Sequence, residues 1–594
     1  MSEQKSSHDP AQAAAYERFQ QWLQLMGRAQ QLMLEFWVRQ TGPSRPFPLD
    51  PFGLAPLGAQ VAASLMAEPQ RLAEQQTRLW EATLALWQDA GRRLAAPTDA
   101  APAAMKPDKR FNAPEWQSHI MFDLMRQSYL LASEHFLSMV ESSTGLDDDA
   151  RAKARFFAKQ WVDALSPANF PLTNPQVLKA TLEEQGQNLL RGFENLLRDL
   201  EKGSITLTDE SPFAVGQNVA ATPGKVVFEN KLFQLIQYAP ATETVHQVPI
   251  LIAPPWINKF YILDLTPQKS FVRWCVSQGF TVFVMSWVNP GSEHRDLGLA
   301  DYMLDGIIAA MEAARKICDA PSVHAIGYCI AGTLLAPTLA WLETKGRGDL
   351  VSSATFFTAQ VDFADAGDLR LFVGDEQLKM LDQLSAETGY LDARYMAATF
   401  NMLRANDLIW NYVVNNYLLG REPPPFDLLY WNSDATRLPR AMLLEYLREL
   451  YLGNRLAEPG GLCLAGVPID LASVKIPAYI QAGREDHIAP PQSVYKLTRH
   501  FSGPLRFVLA GSGHIAGVVN PPHARKYQHW VSEQLPDTLE EFSTLAEERP
   551  GSWWPDWLAW LTPQAGPMVP ARAPGAHPEF PALEDAPGRY VKMR

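Results

Sequence analysis

Apolar side chains in the first 200 residues recur at intervals of three and four positions. Because an α-helix has about 3.6 residues per turn, this spacing collects apolar groups on one helix face. The narrowest stripe consists of Phe19, Trp22, Met26, Ala29, Met33 and Phe36. Similar patterns predict helices at Arg71–Leu94, Ile120–Val140, Arg151–Leu165 and Asn174–Leu200. The pattern predicts an all-helical N-terminal domain over residues 1–205, with residues 1–105 partly flexible. This domain is either a bundle with its own core or an interaction domain for a partner chain or an apolar surface.

From about Val226 the pattern changes to short apolar, β-branched runs that alternate with helix-length segments. The predicted strands are Val226–Tyr238, Val248–Pro254, Thr281–Trp287, Val323–Tyr328, Ser353–Val361, Ala478–Ala482 and Leu505–Ala510. Apolar runs separated by amphipathic helices indicate an α/β domain, here over residues 206–594, with a mostly parallel sheet covered by helices. No strand pattern appears over residues 365–456, and we expect this helical insertion to form a cap. The Pro- and Ala-rich tail, residues 566–594, is predicted to be extended.

The charge balance and the cysteines exclude several classes of function. Among 594 residues, 52 Lys and Arg stand against 65 Asp and Glu, which gives a net charge of -13 and disfavours nucleic-acid binding. The four cysteines show neither a C-x-x-C pair nor zinc-ligand spacing, so we expect no metal and a reducing compartment. No apolar run approaches the roughly 20 residues of a membrane span, and the N-terminal residues lack a secretory signal pattern. We therefore expect a soluble, cytoplasmic protein.

One segment, VHAIGYCIAGT at residues 323–333, combines a predicted strand, a cysteine and a predicted helix. Strand, G-x-nucleophile-x-small and helix form the nucleophile elbow of α/β-hydrolases, with Cys329 in place of serine. The tight turn requires small residues near the nucleophile, and Gly327 and Ala331 are expected to meet that requirement. Alone the motif is weak, because a buried structural cysteine would fit it equally well.

Two later segments strengthen the interpretation of Cys329 as a nucleophile. Asp486 follows the strand in AYIQAGREDHIAP, and His514 follows the strand in LRFVLAGSGHIAG. Nucleophile, acid and histidine in this chain order, each after a strand, are typical of α/β-hydrolases. His514 would remove the thiol proton, and Asp486 would orient the imidazole. The structural alternative is an aspartate in a turn and a histidine satisfied in the core.

Acyl transfer also needs donors for a developing oxyanion. One donor in this fold is the backbone N–H after the nucleophile, here Ile330. The other comes from a loop after an early strand, for which LIAPPWINKFY is the candidate. Pro254 and Pro255 have no N–H, so Trp256 or Ile257 is the first available donor. A rigid proline turn that carries a packing tryptophan is the alternative.

The chain also contains longer motifs that resemble a known family. The motifs are GYCIAGT, PPWINKFYILDL, LRANDLIWNYVV, FDLLYWNSD, GREDHI, GSGHIAGVVNPP and GSWWPDW. Together they resemble polyhydroxyalkanoate synthases of the single-polypeptide kind, class I in particular, over about residues 105–594. The family usually has Gly-Gly after the residue that follows the cysteine, whereas this chain has Ala331-Gly332.

The resemblance implies an α/β-hydrolase fold and an acyltransferase that polymerises (R)-3-hydroxyacyl-CoA and releases CoA. Cys329 would carry the chain as a thioester, His514 would act as base, and Asp486 would assist His514 or activate the 3-hydroxyl. It implies substrate-binding roles at Ile257, Asn258, Tyr261, Asp264, Arg404, Trp431 and His487. For Arg404 a surface salt bridge, and for His487 a structural role, are the alternatives. No cofactor is expected, since coenzyme A is part of substrate and product. The protein would be a homodimer at the surface of polyester granules, with granule-coat proteins as candidate partners.

Two other functions are compatible with these residues. A cysteine-dependent thioesterase or lipase-like hydrolase on the same fold would release free hydroxy acid instead of polymer. A non-catalytic granule-associated protein would need only the aromatic-rich helical region, and the intact set of Cys329, Asp486 and His514 argues against it. A thiolate suits thioester exchange, because the attacking and leaving groups are chemically alike.

Overall fold

The computed structural model describes residues 20, 24–32, 50, 53–95 and 108–594. The contacts divide the chain into two compact units. The helical unit comprises Met1–Asp209 and Phe400–Pro424, and the catalytic unit comprises Glu210–Thr399 and Pro425–Arg594. The segment Phe400–Pro424, here called the excursion, lies within the predicted cap but groups with the N-terminal helices. Phe19, Trp22, Met33 and Phe36 of the apolar stripe lie outside the described residues.

The N-terminal part of the helical unit follows the predicted helical pattern. Its helices are α1 Leu54–Ala67, α2 Pro69–Ala95, α3 Glu115–Ser118, α4 Ile120–Glu141, α5 Asp148–Ala164, α6 Pro175–Glu183 and α7 Gln187–Lys202. Residues 24–32 are helical as well. The single helix predicted over Asn174–Leu200 is two helices, because Gln185 and Gly186 adopt left-handed backbone angles between them.

The excursion packs closely against α7. At Gly192 a Cβ atom would lie 1.9 Å from the carbonyl oxygen of Tyr417, so only glycine permits this approach. The side-chain amide of Asn188 donates to the carbonyl of Leu418 at 2.9 Å, and the Tyr417 hydroxyl donates to Asp199 at 2.6 Å. The excursion contains two π-helical turns, Asn406–Trp410 and Val413–Leu418.

The catalytic unit is built on an eleven-stranded sheet. The strands of the chain are β1 Gly224–Glu229, β2 Phe233–Tyr238, β3 Thr244–His246, β4 Ile250–Ala253, β5 Val282–Trp287, β6 Val323–Tyr328, β7 Val351–Phe357, β8 Tyr390–Leu391, β9 Leu438–Pro439, β10 Cys463–Leu464, β11 Val467–Pro468, β12 Ala478–Gly483, β13 Leu505–Ala510, β14 Gln528–Val531, β15 Glu547–Pro550, β16 Met568–Pro570, β17 Ala576–His577, β18 Phe580–Pro581 and β19 Glu584–Asp585. The large sheet has the order β15-β14-β13-β12-β7-β6-β4-β5-β2-β1-β19.

The six strands from β13 to β5 in this order are parallel, and the strands beyond them on both sides are antiparallel. The α/β prediction is confirmed, but the predicted mostly parallel sheet is a mixed one, because five of its ten strand pairings, those toward the edges, are antiparallel. The predicted strand Val226–Tyr238 is instead the antiparallel pair β1 and β2. Strands β14, β15 and β19 were missed, because they are short and, in β15, wholly exposed and polar.

Helices follow most of the parallel strands, and others form the predicted cap insertion. They are α8 Phe271–Ser277, α9 Leu299–Asp301, α10 Ala309–Cys318, α11 Ile330–Thr344, α12 Asp375–Ala386, α13 Ala393–Leu403, α14 Asp427–Ser433, α15 Arg440–Tyr446, α16 Pro491–Tyr495, α17 Leu497–His500, α18 Leu539–Leu545 and α19 Trp554–Leu561. Further π-helical turns are Tyr302–Ile308 and Leu447–Leu452. The parts of the predicted cap within this unit are mainly helical, with one short pair, β8 and β9, that the sequence pattern does not indicate.

The tail lies along the sheet. Strand β16 pairs with β3, and β19 pairs with β1 at the edge of the large sheet. Val591, near the end of the tail, is 2% exposed. The tail therefore contributes to the packing of the catalytic unit through sheet pairing and burial.

The contact between α7 and the excursion predicts opposite effects for two glycine substitutions in helices. Gly192→Ala should destabilise the helical unit by about 1–3 kcal/mol, because the new methyl overlaps the Tyr417 carbonyl. Gly91→Ala in α2 meets no atom within 4 Å and should stabilise its helix by about 0.5–1 kcal/mol. Thermal melts of both full-length variants measure the two effects. A stabilised Gly192→Ala protein would contradict this packing.

Candidate active site

Cys329 occupies a strained turn between β6 and α11. Its backbone angles are φ 55° and ψ -127°, an unusual conformation for a residue with a side chain. Its N–H donates to the carbonyl of Phe357, at the end of neighbouring β7, at 2.9 Å. This bond to β7 and the start of α11 directly after Cys329 hold the thiol at the carboxyl edge of the parallel strands, where the active sites of α/β proteins lie.

The crowded positions of this turn are Gly327 and Gly332. A Cβ on Gly327 would lie 2.5 Å from the Cα of Gly332, and a Cβ on Gly332 would lie 2.8 Å from the carbonyl oxygen of Gly327. The same Gly332 Cβ would lie 2.5 Å from the Cβ of Ala359. Our expectation that residue 331 is the second small position is therefore incomplete. Ala331 is fully buried, so its methyl fits at this position. The residue that approaches Gly327 closely is Gly332, three residues after Cys329.

His514 and Asp486 follow the ends of the paired strands β13 and β12, whose last residues, Ala510 and Gly483, lie opposite each other. The two side chains are buried, and Nδ1 of His514 lies 2.7 Å from Oδ2 of Asp486. Because an ionised carboxylate can only accept, Nδ1 carries the proton, and Nε2 is left for Cys329. Cys329 lies close enough to His514 to influence the pKa of the imidazole. The structure thus brings the three predicted residues together.

The surroundings of His514 favour its protonated form. Burial alone would lower the pKa of the imidazole, but the charges of Asp486 and Cys329 and the hydrogen bonds to both raise it well above the usual value. An imidazolium next to a thiolate is the arrangement that activates a cysteine nucleophile.

Both carboxylate oxygens of Asp486 have partners within the protein. Oδ2 faces His514, and Oδ1 accepts from the N–H groups of Ile488 at 2.8 Å and Ala489 at 3.0 Å. These bonds fix the carboxylate in one orientation. The side chain of Asp486 is fully buried.

The GSWWPDW motif supports the loop that carries His514. The indole N–H of Trp553 donates to the carbonyl of Gly517 at 2.7 Å, and that of Trp554 donates to Val518 at 2.9 Å. Both tryptophans are essentially unexposed. This motif contributes to the site by positioning the loop.

The loop after β4 lies beside the elbow. Ala253, the last residue of β4, is opposite Gly327 of β6 in the parallel register, so the chain continues through Pro254 and Pro255 next to Cys329. The ring of Trp256 packs against other aromatic rings, with centroids 4.7 Å from Tyr302 and 5.4 Å from Trp287. The role proposed for Trp256 from the sequence is that of its backbone N–H as an oxyanion donor, and it stays a prediction. The second proposed donor, Ile330, begins α11, and the first N–H groups of a helix have no partner within the helix.

The other predicted substrate-binding residues near this loop bond within the protein. The hydroxyl of Tyr261 donates to Asp434 at 2.9 Å, and the indole of Trp431 donates to the carbonyl of Lys259 at 2.7 Å. Asn258 donates to the carbonyl of Asn432 at 3.2 Å, and the carbonyl of Ile257 accepts from the N–H of Thr436 at 2.9 Å. These bonds tie the loop to residues 431–436, and substrate binding by these side chains stays a prediction.

Three further candidates have different surroundings. Asp264 is buried, accepts from the hydroxyls of Thr222 and Ser270, and has its pKa raised to about 6 by burial. Arg404 pairs with Asp407 within the helical unit, in agreement with the surface salt bridge that we weighed for it. His487 is half-buried. The roles of all three in substrate binding stay predictions.

Sequence reasoning missed two tyrosines near Cys329. Tyr446 and Tyr451 lie five positions apart, and the π-helical turn Leu447–Leu452 brings their rings to 5.7 Å from each other. Burial, with the nearby charge of Cys329, raises the pKa of both phenols, so they remain neutral donors. Tyr451 also accepts from the Gln360 amide at 3.4 Å. A π-turn has no distinctive apolar period, so the spacing alone did not mark this pair.

Next to these tyrosines is an apolar pocket that begins at Ile330. It is lined by Leu299, Ile330, Thr333, Leu334, Pro337, Tyr446, Leu450, Leu456 and Leu462. Its volume of about 10 Å³ is room for about one water molecule, and Cys329 is not among its lining residues.

The parallel sheet, the strained elbow and the Asp–His pair define an α/β-hydrolase fold with cysteine at the nucleophile position. A family model of the alpha/beta hydrolase fold matches residues 256–521, and one of the Poly-beta-hydroxybutyrate polymerase (PhaC) N-terminus matches residues 107–275. The chain belongs to the poly(3-hydroxyalkanoate) polymerase family, as its curated relatives show.

Three of these relatives match most of the chain. It is 49% identical to a poly(3-hydroxyalkanoate) polymerase of Methylorubrum extorquens, with 90% of this chain and 89% of the relative covered. It is 47% identical to a poly(3-hydroxyalkanoate) polymerase subunit PhaC of Rhizobium etli, with 90% and 85% covered. The corresponding subunit of Cupriavidus necator is 43% identical, with 90% and 91% covered. Among the described residues, no helix combines the length and apolar character that crossing a bilayer requires.

The elbow geometry predicts that Gly332 is essential and that Ala331 is not. Gly332→Ala should slow acylation of Cys329 at least tenfold, because the methyl would overlap Gly327 and Ala359 and shift the turn. Ala331→Gly removes a buried methyl without a new overlap and should stay within about threefold of the parent rate. Labelled acyl-CoA and denaturing gels measure acylation, and thermal melts report folding. Equal tolerance of both changes would refute the assigned crowding.

Proposed function

We propose that this chain polymerises (R)-3-hydroxyacyl-CoA into polyester and releases CoA, with Cys329 as the carrier of the growing chain. One observation carries the proposal: a cysteine at the elbow lies near a buried His514–Asp486 pair in a chain whose relatives are poly(3-hydroxyalkanoate) polymerases. The enzyme is accordingly an acyltransferase.

In the first step, Nε2 of His514 takes the proton of the Cys329 thiol, and the thiolate attacks the thioester carbonyl of the substrate. The developing oxyanion accepts hydrogen bonds from the backbone N–H groups of Ile330 and Trp256. The bond from the carbonyl carbon to the CoA sulfur then breaks, and CoA leaves with the proton from His514. The acyl group remains on Cys329 as a thioester, which keeps it activated for transfer.

In the second step, the 3-hydroxyl of one acyl group attacks the thioester carbonyl of another. His514 takes the hydroxyl proton, an ester bond forms, and the sulfur that carried the attacked group leaves and is reprotonated by His514. Asp486 has one oxygen on His514 and the other on two backbone N–H groups. This geometry supports an action of Asp486 through His514, because Oδ2 accepts from the imidazole and Oδ1 is held by the two N–H groups.

Polymer formation requires that water be kept from the acyl-enzyme. Cys329 is only partly exposed, and apolar side chains line a small cavity that begins at the next residue, Ile330, which limits the access of water. If water reached the thioester freely, the same residues would act as a thioesterase. The product, polyester or free hydroxy acid, therefore distinguishes a polymerase from a thioesterase.

The cytoplasmic location at granules and the dimeric state are also parts of this proposal. Helix α2 exposes apolar side chains on one face, with Trp80 64%, Leu84 42%, Trp87 57% and Leu94 64% exposed. Monomeric proteins rarely leave such a face in water, so it suits a polyester surface, a coat protein or a second protomer. Sedimentation and granule-binding assays of the full chain would distinguish these occupants.

The first test concerns the nucleophile and the product. Wild-type protein with 3-hydroxybutyryl-CoA should release CoA and form insoluble polyester in matching amounts. Cys329→Ala should abolish both, and Cys329→Ser should lose nearly all activity, because a hydroxyl ionises far less readily than a thiol. Cys463→Ala, which removes an exposed cysteine, is the matched control. Polymer from Cys329→Ala would disprove the assignment, and free hydroxy acid in place of polymer would identify a thioesterase.

The second test concerns Asp486. If this residue acts through His514, Asp486→Ala should slow acylation and elongation by a similar factor, roughly 10²–10⁴. It should also lower the pKa of His514, because the carboxylate is a main cause of its elevation, and an NMR titration of the imidazole would measure this change. Single-turnover acylation and steady-state elongation measure the two steps. Normal acylation with failed elongation would instead assign Asp486 to the 3-hydroxyl.

A further inference from the structure

A buried lysine stands in the loop that carries the proposed oxyanion donor. Lys259 is 3% exposed and lies three residues after Trp256. Burial lowers the pKa of its ammonium, and the nearby carboxylate of Asp434 opposes this effect. A buried ammonium requires hydrogen-bond acceptors, because it has lost its water. The Nζ atom donates to the backbone carbonyl of Met593 at 2.6 Å.

This loop is bonded to two different segments of the chain, and Lys259 makes the bond to the tail. The carbonyl of Trp256 accepts from the hydroxyl of Thr436, and that of Lys259 accepts from the indole of Trp431. These bonds fasten one side of the loop to residues 431–436. The contact of Lys259 with Met593 fastens it to a segment more than 330 positions later in the chain.

The segment 588–594, here called the strap, is seated by specific contacts. Gly588 has φ 79°, and a Cβ there would lie 2.5 Å from Oε1 of Gln234. That Oε1 atom accepts from the backbone N–H groups of Arg589 and Tyr590, each at 3.1 Å. The Tyr590 hydroxyl donates to the carbonyl of Asn230 at 2.9 Å. These contacts to β2 and the turn before it hold the strap where its Met593 carbonyl meets Lys259.

We propose that the strap is a positioning element of the active site: its Met593 carbonyl binds the buried ammonium of Lys259 and thereby fixes the loop that presents the Trp256 N–H to the oxyanion. Met593 and Lys259 act through Trp256 and do not touch substrate. Without the strap, the ammonium would draw the loop toward water, and the donor would leave its position. The inference rests on the proposed function.

The test is a double-mutant cycle in the full-length protein. One change replaces residues 588–594 by a glycine-serine segment of equal length, and the other is Lys259→Met, which keeps the length of the side chain without its charge. In the parent background, loss of the strap should lower kcat for CoA release at least tenfold with KM changed less than threefold. In the Lys259→Met background the same loss should lower kcat less than threefold, because no ammonium needs the carbonyl. Equal losses in both backgrounds would overturn the proposal.

A second readout is independent of turnover. Hydrogen exchange of a peptide that covers residues 255–262 should become faster when the strap is replaced and should regain protection with Lys259→Met. Unchanged exchange after strap replacement would also overturn the proposal. If the wild-type protein shows no turnover, the proposed function fails, whereas the exchange measurement still decides whether the strap holds the loop.

Two controls address folding and specificity. Val591→Ala keeps the chain intact and only loosens the buried anchor of the strap, so it should give a smaller fall in kcat in the same direction. Lys225→Met removes an exposed ion pair with Asp585 of the tail and should leave kcat and exchange unchanged. A kcat loss for Lys225→Met as large as that for strap replacement would indicate a general packing effect and refute the specific contact.

Discussion

The close approach of Gly327 and Gly332 determines where Cys329 stands, and the remaining site is arranged around that position. With Cβ distances of 2.5 and 2.8 Å, no larger residue fits either side of the crossing. The turn gives Cys329 a positive φ, which exposes its thiol to the carboxyl edge of the sheet. Parallel pairing then supplies the other components, since β4, β12 and β13 end at the same edge and their following loops carry Trp256, Asp486 and His514.

A layer of buried bonds surrounds these groups and fixes their loops. Trp553 and Trp554 hold the His514 loop, two backbone N–H groups hold Asp486, and residues 431–436 hold the loop of Trp256. Buried polar groups are costly unless they are satisfied, so each of these loops has one favoured position. The long family motifs contain these supporting residues as well as the three candidate site residues.

The central strands of the sheet and the three candidate site residues could be predicted from the sequence because their signals are local. Strands β6 and β13 begin and end as predicted, and a cysteine, an aspartate and a histidine each follow a strand in the expected order. The edge strands could not be predicted in this way. Strand β15, for example, is exposed and polar and carries no apolar pattern. The crowding at Gly332, the π-turn between Tyr446 and Tyr451, and the bond from Lys259 to Met593 depend on contacts between distant segments, which periodicity does not record.

The excursion belongs to the helical unit although the chain on both sides of it belongs to the catalytic unit. The chain leaves the catalytic unit after Thr399, packs against α7 through Phe400–Pro424, and returns at Pro425. The Tyr417 carbonyl at Gly192 and the Asn188 bond make this packing specific. Without α7, these backbone groups would lose their partners in a segment joined at both ends to the catalytic unit. The family model that covers residues 107–275 runs from the helices into the first strands of the sheet, as expected if the two parts depend on each other.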